Sequence, residues 1–235
     1  MDEAIDATKK LYDSVLRMKE AWVAEQIPTE ARNGRIRTDL LAERLEKWHV
    51  VKLGKVAKTI GGAGFPHDYQ GQKTGRYPFY KVSDMNLIGN EQILHRAENY
   101  IDDTALKKLK ARLIPAHAVV FPKVGAALLT NKRRLTSVEC CIDNNMMAVT
   151  TGSVPHEYLL EFMGRIDFAS MVQMGAVPSV NQSQIEHIDL PVLAPEKHQE
   201  FKKELERFNS TITTVEKQLA TIQELLQKLT SSIFL

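Results

Sequence analysis

Residues 201–233 read "FKKELERFNSTITTVEKQLATIQELLQKLTSSI", and this stretch decides how the chain is organised. Its apolar residues recur in alternating steps of four and three, which is the heptad spacing of a left-handed coiled coil. Pro195 and Glu196 suit a first helical turn, so we expect a helix about 57 Å long. The predicted seam consists of Phe201, Leu205, Phe208, Ile212, Val215, Leu219, Ile222, Leu226, Leu229 and Ile233.

A helix of that length exceeds the width of a small domain, so part of its seam needs a partner outside its own globule. The stripe is also narrow, whereas a helix packed on a domain core usually shows a wider apolar face. We therefore expect a dimer in which the helices of two copies pair antiparallel about a two-fold axis. Packing of the helix on its own domain is the alternative.

The N-terminal residues predict a second, shorter helix. Apolar residues recur at helical spacing as far as Gln26, and Pro28 with Asn33-Gly34 ends the pattern. Residues 37–50, "RTDLLAERLEKWHV", favour one or two further helical turns. We assign residues 1–45 to an N-terminal helical arm. Its apolar positions are Ile5, Leu11, Val15, Met18 and Trp22.

The middle of the chain has a different texture, because short β-prone runs alternate with turn residues. The runs are "VVKLGKVAKTI", "YPFYKV", "HAVVFPKV", "CCIDNNMMAVTT" and "IEHIDLPVL". Short helices are expected at "DDTALKKLKA" and "PHEYLLEFMGRIDFASMV". The predicted fold class is therefore α+β: one globular domain of mixed strands and short helices in residues 46–193, followed by a coiled-coil helix in residues 194–235.

Composition narrows the class of protein. The 31 basic and 29 acidic residues give a net charge of only +2, so any affinity for nucleic acid depends on local clusters. Cys140 and Cys141 are adjacent and badly placed to bridge each other, which fits a reducing compartment. The acidic N-terminus is unlike a signal peptide, and no apolar run approaches a membrane span. We expect a soluble, cytoplasmic protein with no membrane partner.

Residues 121–135, "FPKVGAALLTNKRRL", contain the strongest local cluster of positive charge. No acidic residue lies between Phe121 and Val138. Lysine and arginine on such a loop neutralise phosphates, asparagine and arginine can read base edges, and Gly125 would let the backbone approach a duplex. On charge alone, a solvated turn between strands remains the alternative.

Three stretches closely resemble a target-recognition domain of the specificity subunit of type I restriction-modification enzymes. They are "GGAGFPHDYQGQKTGRYPFYKVSDMN" (61–86), "LIPAHAVVFPKVGAALLTNKRRL" (113–135) with "CIDNNMMAV" (141–149), and "GAVPSVNQSQIEHIDLPV" (175–192). They occur in the family's order and precede the expected long helix. The resemblance, over about residues 48–233, implies a non-catalytic subunit that reads double-stranded DNA and positions adenine-methylating modification subunits and a restriction subunit.

Family members usually carry two recognition domains and two long helices, whereas this chain has one set of blocks and one full-length helix. It resembles a half-length form, so a homodimer reading a two-fold symmetric, bipartite site is expected. The short polar residues of "KVSDMN" and "PSVNQSQ" suit base edges, although polar loops alone are usually only loops. The expected DNA contacts are Lys81, Ser83, Asn86, Lys123, Gly125, Asn131, Lys132, Arg133, Arg134, Ser179, Asn181 and Gln182.

Enzymatic alternatives have less support. "GGAGFP" lacks the Gly-Lys-Ser/Thr ending of a phosphate-binding loop and is interpreted as a turn. The sequence has no Asn/Asp-Pro-Pro-aromatic stretch of an adenine methyltransferase, and its seven histidines lack metal-ligand spacing. We expect no cofactor and no metal. A metal-dependent nuclease stays open, as does a helical adaptor or anti-restriction scaffold that binds proteins instead of DNA; salt-dependent duplex binding would separate the adaptor from a DNA reader.

Overall fold

The computed structural model describes residues 2–28, 34–35, 48–172 and 177–233. The chain divides into two compact units, one formed by residues 1–28 with 196–235 and the other by residues 29–195. The predicted boundary at residue 45, most of the helix predicted for 37–50, and the first two residues of the 175–192 block lie outside the described residues. No helix in the described ranges is long and apolar enough to cross a membrane.

The elements follow the predicted alternation of strands and short helices between two long helices. The helices are α1 Asp2–Gln26, α2 Leu53–Val56, α3 Asp103–Lys108, α4 Ala126–Leu129, α5 His156–Arg165, α6 Gln182–Glu186 and α7 Pro195–Ile233. The strands are β1 Trp48–Lys52, β2 Ala57–Gly61, β3 Tyr77–Tyr80, β4 Ile93–Leu94, β5 Tyr100–Ile101, β6 Val119–Pro122, β7 Arg134–Thr136, β8 Cys141–Ile142, β9 Met146–Thr151 and β10 Asp189–Leu193. The predicted α+β fold and the long C-terminal helix are confirmed.

The first unit is an antiparallel pair of helices, α1 and α7. The ring of Trp22 stacks on Phe201 with centroids 5.2 Å apart and lies 5.6 Å from Phe208. Nearer the other end of α1, the hydroxyl of Tyr12 donates a hydrogen bond to Glu216 Oε1 at 2.9 Å. Residues late in α1 therefore meet residues early in α7, and the two helices run in opposite directions.

The predicted seam of α7 divides into two parts. Phe201, Leu205, Ile212 and Val215 are buried within the chain itself. Burial then decreases along the helix, and Leu229 is 47% exposed. The first part thus packs within the chain against α1, which is neither the expected second copy nor the alternative of the domain core. The second part has an exposed apolar surface. The side chain of Ile233 lies outside the described residues.

The buried face of α1 differs from the predicted one. Leu11 is 50% exposed and Met18 is 60% exposed, whereas Tyr12, Val15 and Trp22 face inward. The inward positions repeat every seven residues, since Lys19 follows Tyr12 and Trp22 follows Val15 at that interval. The stripe therefore has the same heptad spacing as α7. The prediction that Leu11 and Met18 belong to the buried face of α1 was wrong. Packing against α7 decides which residues of α1 face inward, and hydrophobicity alone does not.

The second unit is built on three sheets within the described residues: β2-β9-β6-β7-β4, β5-β3-β8 and β1-β10. In the largest sheet β9 runs antiparallel to both β2 and β6, and β6 runs antiparallel to β7. Its buried residues form one apolar cluster with Tyr80 and Met85, and Phe79 with Cys141 forms a second cluster beside the three-stranded sheet. The strand directions place the ends of β2 and β6 beside the start of β9, on one side of the large sheet.

Candidate nucleic-acid interface

Several loops from distant parts of the sequence meet at one sheet edge. Pairing of Gly61 with Met147 and of Pro122 with Met146 puts the ends of β2 and β6 beside the start of β9. The parallel strands β3 and β8 end together there, because the amide of Asp143 donates to the Tyr80 carbonyl at 2.9 Å. We call the loops at these strand ends, with the segments hydrogen-bonded to them, the loop edge; it consists of residues 62–64, 81–86, 123–125, 131–133, 143–145 and 179–182.

A buried carboxylate shapes residues 81–86, which form a 3-10 turn from Val82 to Asn86. Asp84 is fully buried, and its side chain accepts hydrogen bonds from the amides of Lys81 at 2.6 Å and Glu98 at 3.1 Å. Burial raises the pKa of Asp84, while these amides oppose the rise. Because Asp84 faces inward, Ser83 and Asn86 are exposed on the outer side of the turn.

The turn at residues 143–145 ties the neighbouring loops together. The side chain of Asp143 accepts from the Asn145 amide at 2.8 Å, and the Asn145 carbonyl accepts from the Lys123 amide at 2.8 Å. Burial is the main cause that raises the pKa of Asp143. Gly62 packs so closely here that an added Cβ would lie 1.8 Å from the Asp143 carbonyl oxygen, so this position admits only glycine. The interpretation of "GGAGFP" as a turn was wrong, because Gly61 ends β2 and Ala63 continues from it into a parallel bridge with Asp143.

Residues 123–125 are joined by backbone hydrogen bonds to residues 178–180, which belong to the stretch 175–192. The Gly125 amide donates to Pro178 at 2.8 Å, and the Val180 amide donates to Lys123 at 3.0 Å. Gly125 has φ +74°, which favours glycine, and an added Cβ would meet nothing within 4 Å. Lys123, Gly125 and the partly buried Ser179 are therefore brought together at the loop edge.

Asn181 and Gln182 lie at the start of α6, beside Ser179. The Asn181 side chain accepts from the Gln184 amide at 2.9 Å and caps the helix, which is the usual role of asparagine at this position. Gln182 is exposed, and its amide nitrogen donates to Glu186 at 2.7 Å. Gln182 thus has the more available side chain of the two.

The side chains of the basic run, residues 131–134, point in different directions. The ammonium of Lys132 donates to Asn86 Oδ1 and so joins two stretches that are 46 positions apart. Arg133 is only 5% exposed. Arg134 is half-buried and donates through Nε to the Asn90 carbonyl at 2.5 Å. Asn131 also bonds within the domain, through its Nδ2 to the Gly164 carbonyl. Burial places Arg133 alone of the four away from the surface, and DNA contact by Asn131, Lys132 and Arg134 stays a prediction.

Positive charge at the loop edge therefore comes from Lys81, Lys123 and Lys132, each partly exposed. The ammonium of Lys81 donates to Gln70 Oε1 at 3.0 Å. Asp84 and Asp143 are the acids built into these loops, and both are buried. Within the described ranges, no three histidine, cysteine, aspartate or glutamate side chains are placed to hold a metal ion. The arrangement suits a surface that binds an anion through lysines and backbone.

The sequence did not reveal a buried residue, Asn90, that holds the turn at residues 81–86 from inside the domain. Asn90 is fully buried; its Oδ1 accepts from the amides of His95 and Arg96 at 2.9 and 3.0 Å, and its Nδ2 donates to the Asp84 carbonyl at 2.7 Å. The Gly89-Asn90 pair does signal a turn. Nothing in that signal shows that the turn is buried, so its role appears only in three dimensions.

Solved structures with the same fold include subunits of type I restriction-modification systems. One chain, from work on complex assembly and conformational transition of the type I R-M system, has a TM-score of 0.70 and 14% identity, and the match covers 99% of this chain and 53% of that one. The HsdS subunit from Thermoanaerobacter tengcongensis matches with a TM-score of 0.65 and 13% identity over 98% and 53% of the two chains. The type I S subunit from M. genitalium gives 0.60 and 12% over 97% and 56%.

At these identities the likeness concerns the fold, and the chain spans about half the length of the structures it matches. A search of curated proteins found no match. The model of the family described as "Type I restriction modification DNA specificity domain" matches residues 45–224, which include the whole loop edge and most of α7. The resemblance seen in the sequence is thereby confirmed: the chain belongs to the type I restriction-modification DNA specificity domain family.

Proposed function

We propose that this chain recognises one half of a bipartite DNA target through the loop edge. The observation that carries the proposal is convergence: residues 81–86, 123–133 and 179–182 come from all three family-like stretches and are joined there by hydrogen bonds. A surface assembled from separate loops can contact several successive nucleotides. A single solvated turn would not require this interconnection.

The loop edge offers two kinds of contact to DNA, one to phosphates and one to base edges. Lys81, Lys123 and Lys132 are suited to phosphates, which fix register and supply salt-dependent affinity. The exposed side chains of Ser83, Asn86 and Gln182 are short or forked and can donate to and accept from base edges. Specificity therefore falls to the polar residues, and affinity falls to the lysines.

Duplex binding as a function of salt tests this proposal. With three lysines on phosphates, the logarithm of the binding constant should fall against the logarithm of salt with a slope of roughly −3. Fluorescence anisotropy with a labelled duplex measures the slope and needs no knowledge of the target sequence. Salt-independent binding, or no binding at low ionic strength with the modification subunit present, would favour the protein-binding adaptor instead.

Two copies would complete the bipartite target. The chain matches about half of each solved structure named above, and the second part of α7 exposes the seam residue Leu229 and, one turn before it, Leu225. Antiparallel pairing of these segments would relate two loop edges by a two-fold axis. Identical halves then read identical half-sites, so the target should be an inverted repeat around a non-specific spacer.

The role of such a dimer would be to position partner enzymes. Modification subunits would methylate adenine in each half-site, and a restriction subunit would join the full complex. Mapping methylated adenines after reconstitution with the modification subunit tests the assembly. A symmetric pair of methylated positions supports the paired arrangement, and an asymmetric site from the homogeneous protein overturns it.

A further inference from the structure

Arg133 is buried although it belongs to the basic run. Its guanidinium carbon lies 3.7 Å from the ring centroid of Phe168 and 5.3 Å from that of Phe121. Burial lowers the pKa of this guanidinium from its ordinary value, while Asp167 opposes the shift. The two aromatic faces offset part of the cost of removing the charge from water. Such an environment indicates a role inside the protein.

The hydrogen bonds of Arg133 hold the two residues that precede it. One Nη donates to the Lys132 carbonyl at 2.9 Å. The other donates to Asn131 Oδ1 at 2.8 Å and to the Ile166 carbonyl at 3.4 Å. A single planar group thus fixes the backbone of Lys132 and the side chain of Asn131 together.

Asn131 makes a second attachment to the same region. Its backbone has φ +53°, a conformation that asparagine tolerates better than most residues. Its Nδ2 donates to the Gly164 carbonyl at 3.1 Å, and its Oδ1 accepts from the Phe168 amide at 3.5 Å. Residues 131–133 are therefore fastened to residues 164–168, at the end of α5 and just beyond it.

We propose that Arg133 is a positioning residue, which holds Lys132 beside Asn86 for phosphate contact while making no contact with DNA itself. This inference rests on the proposed DNA-binding role of the loop edge. Lys132 is the outward member of the run, and the carbonyl of Lys132 is bound by Arg133 from the inside.

The chemistry requires arginine at this position. A guanidinium is planar, stacks on aromatic faces and donates in several fixed directions at once. A lysine would keep the charge but lose the stacking and the simultaneous bonds to Asn131, Lys132 and Ile166. Arg133→Lys should therefore resemble Arg133→Met in DNA binding. A direct phosphate contact predicts the opposite, because lysine also binds phosphate as a point charge.

The test compares the unaltered protein with Lys132→Ala, Arg133→Met and the double variant in salt titrations with one duplex. Lys132→Ala should reduce the magnitude of the salt slope by about one. Arg133→Met should reduce it equally, since a misplaced Lys132 no longer meets its phosphate. The double variant should match the single ones. If Arg133 bound DNA directly, the double variant would lose about two.

A second pair of variants leaves the loop sequence unchanged. Phe168→Leu removes the closer aromatic face of Arg133 and should reduce the salt slope in the same way. Phe162→Leu is the matched control, because Phe162 is fully buried on α5 and its ring is not one of the two that face Arg133. Circular dichroism and thermal melting establish which variants are folded, and the Phe168 pair decides the question if Arg133→Met does not fold.

The possible outcomes distinguish failure of the positioning role from failure of the proposed function. A salt-dependent unaltered protein, a lowered slope for Lys132→Ala and unchanged slopes for Arg133→Met and Phe168→Leu would overturn the positioning role alone. An additive double variant would overturn it too, in favour of direct contact. Failure of the unaltered protein to bind duplex would overturn the proposed function together with the inference.

Discussion

The basic run at 131–134 and the apolar seam at 201–233 divide in the same way. In the run, Arg133 is buried on aromatic rings and Lys132 reaches outward to Asn86. In the seam, Phe201 is stacked on Trp22 and Leu229 is 47% exposed. In both regions, residues of one chemical type serve the fold at one position and offer a surface at another. Residue type thus indicates an interface, whereas position in the fold decides which of its residues are available to a partner.

The largest expected effect concerns the inner part of the seam. Phe201→Ala should lower the free energy of unfolding by about 3–5 kcal/mol, because it removes a buried ring and leaves a cavity beside Trp22. Urea denaturation followed by circular dichroism measures the loss. The matched variant, Leu229→Ala, should change it by about 0.5 kcal/mol or less at concentrations where the protein is monomeric. Equal losses at the two positions would break the distinction between inner and outer seam.

The outer part of α7, where Leu225 and the seam residue Leu229 are exposed, should control self-association. Replacing Leu225 and Leu229 together with aspartate would put unpaired carboxylates at the proposed pairing surface, and the dimer dissociation constant should rise at least about 100-fold, or about 2.8 kcal/mol. Sedimentation velocity at micromolar concentrations measures the change, and circular dichroism should show a folded chain. The proposed pairing is refuted if the unaltered protein is monomeric there or the variant dimerises as tightly.

At the loop edge, the outward lysines should have a smaller effect. Lys123→Ala should weaken duplex binding by about 1 kcal/mol and reduce the magnitude of the salt slope by about one, uniformly across DNA sequences. Lys58→Ala is the control, since Lys58 is exposed on β2 opposite Thr150, away from the start of β9. If both variants weaken binding alike, the charge contribution is not localised at the loop edge.

Much of the fold was accessible from sequence because its signals are local. The heptad seam predicted α7, and alternating β-prone runs predicted β3, β6, β9 and β10 at their observed places. The face of α1 was missed because it depends on register against α7: Tyr12 points inward through its bond to Glu216, while the more apolar Leu11 next to it is exposed. A single helix does not contain that information.

The candidate site was predictable as a set of stretches and not residue by residue. Strand ends place residues 81–86 and 123–125 at one edge, and turn residues mark such ends. The direction of each side chain depends on contacts from elsewhere, as Arg133 shows by its position over Phe168. Asn90 illustrates the reverse case, because an apparently ordinary turn residue became the buried support of Asp84.

The two cysteines give the smallest expected effect and a limit to the comparison. Cys140 and Cys141 are adjacent, yet both are buried, because Cys140 belongs to the large core cluster and Cys141 to the cluster around Phe79. Burial raises the pKa of the Cys141 thiol from 9.0 to about 12 and raises that of Cys140 as well. Here neither neighbour is outward, since apolar clusters cover both sides of the segment.

Iodoacetamide should therefore label neither thiol in the folded protein at pH 8 and both in urea, because the thiolate is the reactive form. Above about pH 9 the unfolded chain loses thiol protons that the folded chain keeps until about pH 12, so the free energy of unfolding should fall as pH rises through that window. Urea midpoints at pH 8 and 10 measure the fall, and Cys141→Ala should reduce it. Stoichiometric labelling of the native protein at pH 8 would show that one of the two clusters opens to solvent.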